Sequence, residues 1–250
     1  MNIRMAGAAA AMMVASAASA QSAVQWRVED GGNGHWYALI AQPHTWQAAR
    51  DWCISHGGYL ATPNSLEENA FVTATTAAPH AWLGGFQDLL SPDYSEPAGG
   101  WTWVTAEPRS FSAWNTGEPN NYPPGLEVSL ATVHGTQTWA DLPEDWALHF
   151  HVEWSADCNA DGIVDFGQIR AGEVADANAN NIPDCCENGT VCGCPADIVQ
   201  DGSVNGGDLA AVINAWGTDG GKLPRSDVNR DGIVDGIDLA QVLGAWGSCN

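Results

Sequence analysis

The stretch 227–238 reads DVNRDGIVDGID. Oxygen-bearing side chains recur at its positions 1, 3, 5, 9 and 12, as Asp227, Asn229, Asp231, Asp235 and Asp238, with Gly232 at position 6. A calcium ion takes six to eight hard oxygens at short range, so the backbone around it must curl tightly. A left-handed residue in mid-loop makes that curl, and glycine adopts it at little cost. Ile233 at position 7 offers its backbone carbonyl. The pattern returns three times. Residues 197–208 (DIVQDGSVNGGD) keep Asp197, Asp201, Asn205 and Asp208 around Gly202, with Val199 at position 3. Residues 157–168 (DCNADGIVDFGQ) keep Asp157, Asn159, Asp161 and Asp165 around Gly162 and end in the neutral Gln168. Residues 176–187 (DANANNIPDCCE) keep Asp176, Asn178, Asn180, Asp184 and Glu187, with Asn181 in the place of glycine. Asparagine is the next most tolerant left-handed residue. The spacing points to calcium in all four loops, most completely in the last.

Loops of this kind need elements to hold them. After each of the last two comes one apolar helical face, Leu209, Val212, Ile213 and Trp216, then Leu239, Val242, Leu243 and Trp246. Each helix is expected to start at the twelfth loop residue and to stop at a C-cap glycine. One loop and helix cannot bury such a face alone. Two copies packed together can, and bound metal adds the missing stability.

The charge balance sets limits. Acids outnumber bases 30 to 8, a net charge of −22. Nucleic acids and anionic membranes attract basic patches, so both are excluded as partners. The N-terminus has Arg4, an Ala/Met/Val run and Ala18-Ser19-Ala20, the pattern of a cleaved export signal over 1–20. No apolar run is long enough to span a bilayer. The expected location is therefore secreted, extracellular or cell-surface. Disulfides suit that compartment, but seven cysteines leave an odd one. The group Cys185, Cys186, Cys192 and Cys194 lacks the spacing of a zinc ribbon.

Residues 24–155 differ in chemistry and hold an aromatic-rich region. Strands are expected at 35–41, 81–85, 101–104, 126–133 and 146–154. Thr45 caps a helix with Trp46, Ala49, Trp52 and Cys53 on its apolar face. Ser65 and Glu68 open a second helix through Ala77, closed by Pro79. In 146–154, Trp146, Leu148, Phe150, Val152 and Trp154 alternate with Ala147, His149, His151 and Glu153. That alternation, like that around His134, predicts solvent-facing histidines. The order is α+β.

The sequence GGYLATPNSLEENAFV, then AWLGG, GEPNN, TWADLP and a final aromatic strand resembles a C-type lectin domain. The resemblance implies two helices, two small antiparallel sheets and a long calcium-holding loop. It implies a sugar site in which calcium and its ligands share two neighbouring hydroxyls: Glu118 and Asn120 around Pro119, Glu127 and Asp141. In that family the proline is cis. Ala140 stands where the family has Asn. Trp114 and Tyr122 are the candidates to stack on a sugar. Cys53 matches the family's helix cysteine. Its usual partner position holds Val152, and Cys158 is the available substitute. Glu118 and Asp141 suit metal ligation better than a glycosidase pair, so no enzyme activity is expected.

Residues 156–193 read as a calcium-stiffened acidic spacer, with room for a short helix in 166–175. Residues 194–250 resemble a type I dockerin, a small all-α, EF-hand-like tandem calcium-loop module. That resemblance implies docking on a cohesin-like protein through loop positions 10 and 11, here Gly206-Gly207 and Gly236-Ile237. Cys194 and Cys249 bracket the unit and are expected to bond. The whole reads as an exported, non-enzymatic calcium-binding protein that recognises a carbohydrate or glycosylated surface. The alternatives are an adhesion protein that reads a protein surface and, last, a component of polysaccharide degradation.

Overall fold

The computed structural model describes residues 23–248 except 75–79, 123–125, 160, 191, 200, 222 and 230. The export signal over 1–20, the end of the second helix with Pro79, and Cys249 lie outside the described residues.

Strand β1 (Val24–Gln25) pairs with β2 (Trp36–His44), and helix α1 (Trp46–Ser55) follows. Thr45 caps α1, its Oγ1 accepting from Ala48 N at 3.3 Å. Next come β3 (Tyr59–Leu60), α2 (Leu66–Ala74), β4 (Ala81–Gln87) and β5 (Trp101–Trp103). Then come β6 (Glu127–Thr132), β7 (Trp139–Pro143) and β8 (Leu148–Trp154). Strand β7 is not among the expected strands. Its five residues carry Pro143 and a turn-like Asp141, which mask the pattern.

The sheet order is β1-β2-β8-β4-β6-β7, with β3 on β8 and β5 on β4. The two small sheets of the expectation join where β4 runs parallel to β8, Ala81 opposite His149 and Trp82 opposite Phe150. Trp46, Ala49 and Cys53 of α1 pack on one side with Phe150, Val152 and Trp154. Val72 of α2, Leu83, Leu130 and the Trp101, Trp103 and Trp139 rings form a second cluster with Tyr37. The sheet is therefore covered on both faces. Buried indoles need acceptors, and these find them. Trp46 Nε1 donates to Leu83 O at 2.9 Å, Trp82 Nε1 to His44 O at 2.9 Å, and Trp139 Nε1 to Asn69 Oδ1 at 2.8 Å.

Double coverage corrects two expectations. His151 is buried, and so is Glu153. His134 is exposed as expected, and His149 is half-buried. A period of two reports that a strand has two faces, not that one is wet.

The spacer is ordered onto the first domain. Helix α3 (Asp165–Ala171) sets Phe166 in the α1-side core, stacked on Trp154 with centroids 4.1 Å apart. Helix α4 (Asp184–Glu187) ends the second acidic loop. Asn181 Nδ2 of that loop donates to His56 O at 3.2 Å. Cys158 bonds Cys186 and Cys185 bonds Cys192. Cys53 is free and buried, so Cys158 does not substitute for its family partner. Cys194 is disulfide-bonded, and its expected partner Cys249 lies outside the described residues.

The C-terminal part holds β9 (Ser203–Val204), α5 (Gly206–Ala215), α6 (Gly236–Gly244) and β10 (Gly247–Ser248), with β9 antiparallel to β10. The helices begin at loop position 10, not 12. Asn205 and Asp235 at position 9 cap them, and Asp208 and Asp238 complete capping boxes. Ala211, Val212 and Ala215 are buried, while Ile213, Trp216, Leu243 and Trp246 stay exposed. The expected apolar stripe is thus split. Leu209, Val212, Leu239 and Val242 pack into the core with the alanines, and the other half of the stripe faces outward.

Candidate carbohydrate and metal sites

Strand β7 ends the Trp cluster and places Asp141 beside the loop that carries Glu118 and Asn120. Asp141 is fully buried and accepts two backbone N–H groups, from Asn120 to Oδ1 at 3.0 Å and from Asn121 to Oδ2 at 2.8 Å. Glu127, at the start of β6, accepts from Tyr122 N at 2.6 Å. Asn120 Nδ2 donates to Glu118 Oε2. The Glu118–Pro119 peptide is cis, as the resemblance implies. Four of the six expected residues, Glu118, Asn120, Glu127 and Asp141, therefore converge. Their backbone ties run within 118–127 and to β7, so the loop is built around its acids.

The electrostatics are unbalanced. Glu118 is pushed up to about 7 by burial, by a hydrogen bond with Asp141 and by the charges of Asp141 and Glu127. Burial likewise raises Glu127 above its ordinary value. Among the described residues, none of the ion pairs places a basic side chain on these carboxylates. Crowded carboxylates without a counter-charge suit a hard cation with oxygen ligands. Ala140, buried in β7, adds no oxygen to the set.

The two aromatic candidates part company. Trp114 is drawn into the Trp cluster, 4.9 Å from Trp101 and with the Arg109 guanidinium 5.8 Å from its ring. It is a wall of the core rather than a free platform. Tyr122 is 78% exposed at the rim.

The acidic loops share one internal scaffold. In the last, Asp227 accepts from Asp231 N and Gly232 N at 3.2 and 2.8 Å, and Asp231 from Ile233 N at 3.1 Å. Asp238, with no exposed surface, accepts from Asn229 N at 3.0 Å and Asp235 N at 2.8 Å. The third loop repeats this with Asp197 and Asp208, while its Val199 is exposed at position 3. Position 6 is left-handed in every loop, at Gly162, Asn181, Gly202 and Gly232 with φ of 84°, 62°, 84° and 90°. Asn205 turns its amide to Asp201 at 3.0 Å and carries its oxygen to Gly207 N.

The first two loops keep the same opening turn but close differently. Their helices start one residue earlier, at Asp165 and Asp184, whose carboxylates reach back to Cys158 N at 2.9 Å and Ala177 N at 3.0 Å. In the second loop Glu187 gathers the amides of Asn178 and Asn180 at 3.1 and 2.8 Å. Those three with Asp176 form an oxygen set fit for a cation. In the first loop Gln168 takes the place of that acid and donates to Asp161 at 2.7 Å.

A second carboxylate pair escapes sequence reasoning. Glu153 Oε1 accepts from His35 Nδ1 at 2.7 Å, Tyr59 OH at 3.0 Å and Tyr37 OH at 3.2 Å, and its Oε2 from Thr62 N at 3.0 Å. Glu68 of α2 accepts from Tyr37 OH at 2.7 Å and Asn64 N at 2.8 Å. Burial raises Glu68 above the usual carboxylate range. A cavity of about 470 Å³ opens beside the pair, lined in part by Asn33, Asn64, Glu107 and Ser110. The signal was present as Glu68 in a capping box and Glu153 on an outward face. Neither pattern says that the two meet.

Comparison with known proteins accords with this architecture. The profile of the Lectin C-type domain matches residues 42–146, and that of the Dockerin type I domain matches residues 195–244. Human C-type lectin domain family 4 member G is 34% identical over 112 residues, 45% of this chain and 36% of that protein. The type-2 ice-structuring protein of Hemitripterus americanus is 32% identical over 99 residues, 40% of this chain and 55% of that protein. The solved structure of human lithostathine is 21% identical, with a TM-score of 0.44, over 54% of this chain and 97% of that one. The chain spans only 23% of the mouse C-type lectin domain family 4 member F and 55% of the ice-structuring protein. The chain carries an α+β C-type lectin domain over residues 42–146, followed by a type I dockerin domain over residues 195–244.

Proposed function

We propose that this is an exported calcium-dependent lectin, tethered to a cohesin-like protein through its C-terminal module. The observation that carries the reading is the convergence of Glu118, Asn120, Glu127 and Asp141 at one loop and the strands beside it, with no basic side chain paired to them among the described residues. Glu118, Asn120, Glu127 and Asp141 would hold the ion. Calcium there would supply coordination to two neighbouring hydroxyls of a sugar. The chain's own part is polar and directional. The carboxylate of Glu118 accepts from one hydroxyl, and the amide of Asn120 donates to another. Tyr122 lies exposed where a ring can stack.

The functional units are a lectin module over 24–155, an acidic spacer over 156–193 and a dockerin module over 194–250. The loops starting at Asp176, Asp197 and Asp227 would hold calcium. In the last, Asp227, Asn229, Asp231, Asp235 and Asp238 are the ligand set. Exposed Ile213, Ile237 and Leu243 on the dockerin helices, with Trp216 and Trp246 just past their ends, support a protein partner. The chain works by binding and not by turnover.

A second reading has its own support. Ala140 removes one ligand of the family's sugar site, and one relative is an ice-structuring protein. On that reading the module recognises a protein or another extended surface. The exchange Glu118→Gln with Asn120→Asp separates the two. A sugar binder using this site changes its preference among neutral sugars on a glycan array. An unchanged binding profile counts against the sugar site.

A further inference from the structure

The first acidic loop differs from the others in what lies against it. Asp161, its position 5, meets the Arg225 guanidinium, with Nη2 3.0 Å from Oδ2. The pair is shielded from water, with side chains 6% and 18% exposed. The same Oδ2 accepts from Gln168 Nε2 at 2.7 Å and from Asn159 Nδ2 at 3.2 Å. The Asn159 contact has its counterpart in the last loop, where Asn229 Nδ2 donates to Asp231 Oδ2 at 2.9 Å, so what sets the first loop apart is the Arg225 guanidinium and the Gln168 amide on the oxygen that a metal ion would need. At position 12 the other loops end in Glu187, Asp208 and Asp238, while this one ends in an uncharged amide. Two more buried atoms await partners here, Arg225 Nη1 and Asp165 Oδ1.

Basic residues are scarce, 8 against 30 acids, and Arg27 and Arg50 make exposed pairs with near neighbours in sequence. Arg225 instead reaches back from the turn Pro224–Ser226, just ahead of the last acidic loop. A guanidinium is planar, always charged and rich in donors, so it can satisfy a carboxylate as a metal ion would.

We infer that Arg225 is the resident cation of loop 157–168. This loop does not fit calcium. It holds an arginine of the dockerin domain and so fastens that domain to the spacer without metal. Through Phe166, stacked on Trp154 at 4.1 Å, the fastening continues into the lectin domain. The inference does not depend on the sugar reading.

Calorimetric titration of calcium into the metal-free full-length chain tests it. Asp161→Asn is expected to bind as many ions as the wild type. Asp231→Asn, the same position in the last loop, is expected to bind one fewer. Loss of one ion in Asp161→Asn overturns the inference, because the first loop is then a calcium site. Small-angle scattering of the calcium-saturated chain is the second measurement. Arg225→Gln is expected to increase the radius of gyration, with Arg225→Lys nearer the wild type. An unchanged radius in Arg225→Gln overturns the fastening role. If Asp231→Asn also loses no ion, the calcium reading of the last loop has failed, and the scattering result decides the Arg225 contact.

Discussion

Burial takes His151 away from solvent and leaves its Nε2 without a hydrogen-bond partner. Desolvation pushes its imidazole down to about 3. The unfolded chain holds the same histidine near ~6.5. Between these values the unfolded state takes up a proton that the folded state refuses. Its contribution to stability is therefore intact above pH 6.5 and lost as pH falls toward 3. Urea unfolding at pH 7 and pH 5 should show a smaller loss of stability in His151→Gln than in the wild type, by about 2 kcal/mol. An equal loss in both would show that His151 does not drive the pH response. Cys53 is a related case. Its thiol is buried and pushed up by desolvation, so alkylation of the native protein should leave it unmodified until denaturant is added. Neither fact was legible in the sequence. Alternation along a strand assigns residues to faces, and the family's helix cysteine implies a disulfide. Only the packed structure shows that the second face is buried too, under the cluster that joins Tyr37 to Val72 of α2, and that Cys158 turns to Cys186.

Elements decide what the local patterns can do. The loops were legible because their oxygen-bearing side chains are near neighbours in sequence, and all four position-6 residues turn left-handed as their types imply. The helices start at Gly206 and Gly236, ahead of the twelfth loop residue that the spacing predicts. Asn205 and Asp235 act as N-caps, which moves each helix two residues earlier and gives Asp208 and Asp238 a double task. Asp238 accepts two backbone N–H groups while fully buried. Asp238→Ala should therefore destabilise the dockerin domain by more than about 2 kcal/mol, from lost capping and orphaned donors. Chemical denaturation in saturating calcium measures it. At the proposed sugar site, Glu118, Asn120 and Asp141 were legible as motif residues, whereas the withdrawal of Trp114 was not. A Trp beside a binding motif reads the same whether its ring faces sugar or core. The Glu153 pair adds a further prediction. Glu153 lies within reach of four donors, so Glu153→Ala leaves His35 and Thr62 without this acceptor and takes one of two acceptors from Tyr37 and Tyr59, whose hydroxyls also reach Glu68 and Ser155. It should cost roughly 3 kcal/mol or more in a thermal or urea melt of the full chain.

At the scale of the whole molecule, a charge of −22 is concentrated in loops and in one surface cluster. Self-repulsion opposes compaction wherever such charges stay unpaired. Two devices offset it. Calcium is proposed for the sugar site and three loops, and Arg225 serves the first loop from within the chain. Packing does the rest, since Phe166 sits in the lectin core and Asn181 bonds the end of α1. The domains therefore form a joined body rather than beads on an acidic string. The lectin and dockerin resemblances were legible in the order of motifs and in the duplicated loop-helix unit. The mutual contacts of these parts were not, because they join residues about 64 or 125 positions apart. The central claim is that acid-held calcium makes this body a recognition protein. The most direct measurement is binding of the full chain to a glycan array in calcium and again in excess chelator. The account predicts selective retention on a class of glycans in calcium and loss of that signal in chelator. Retention that survives chelation, or no retention in calcium, would contradict it.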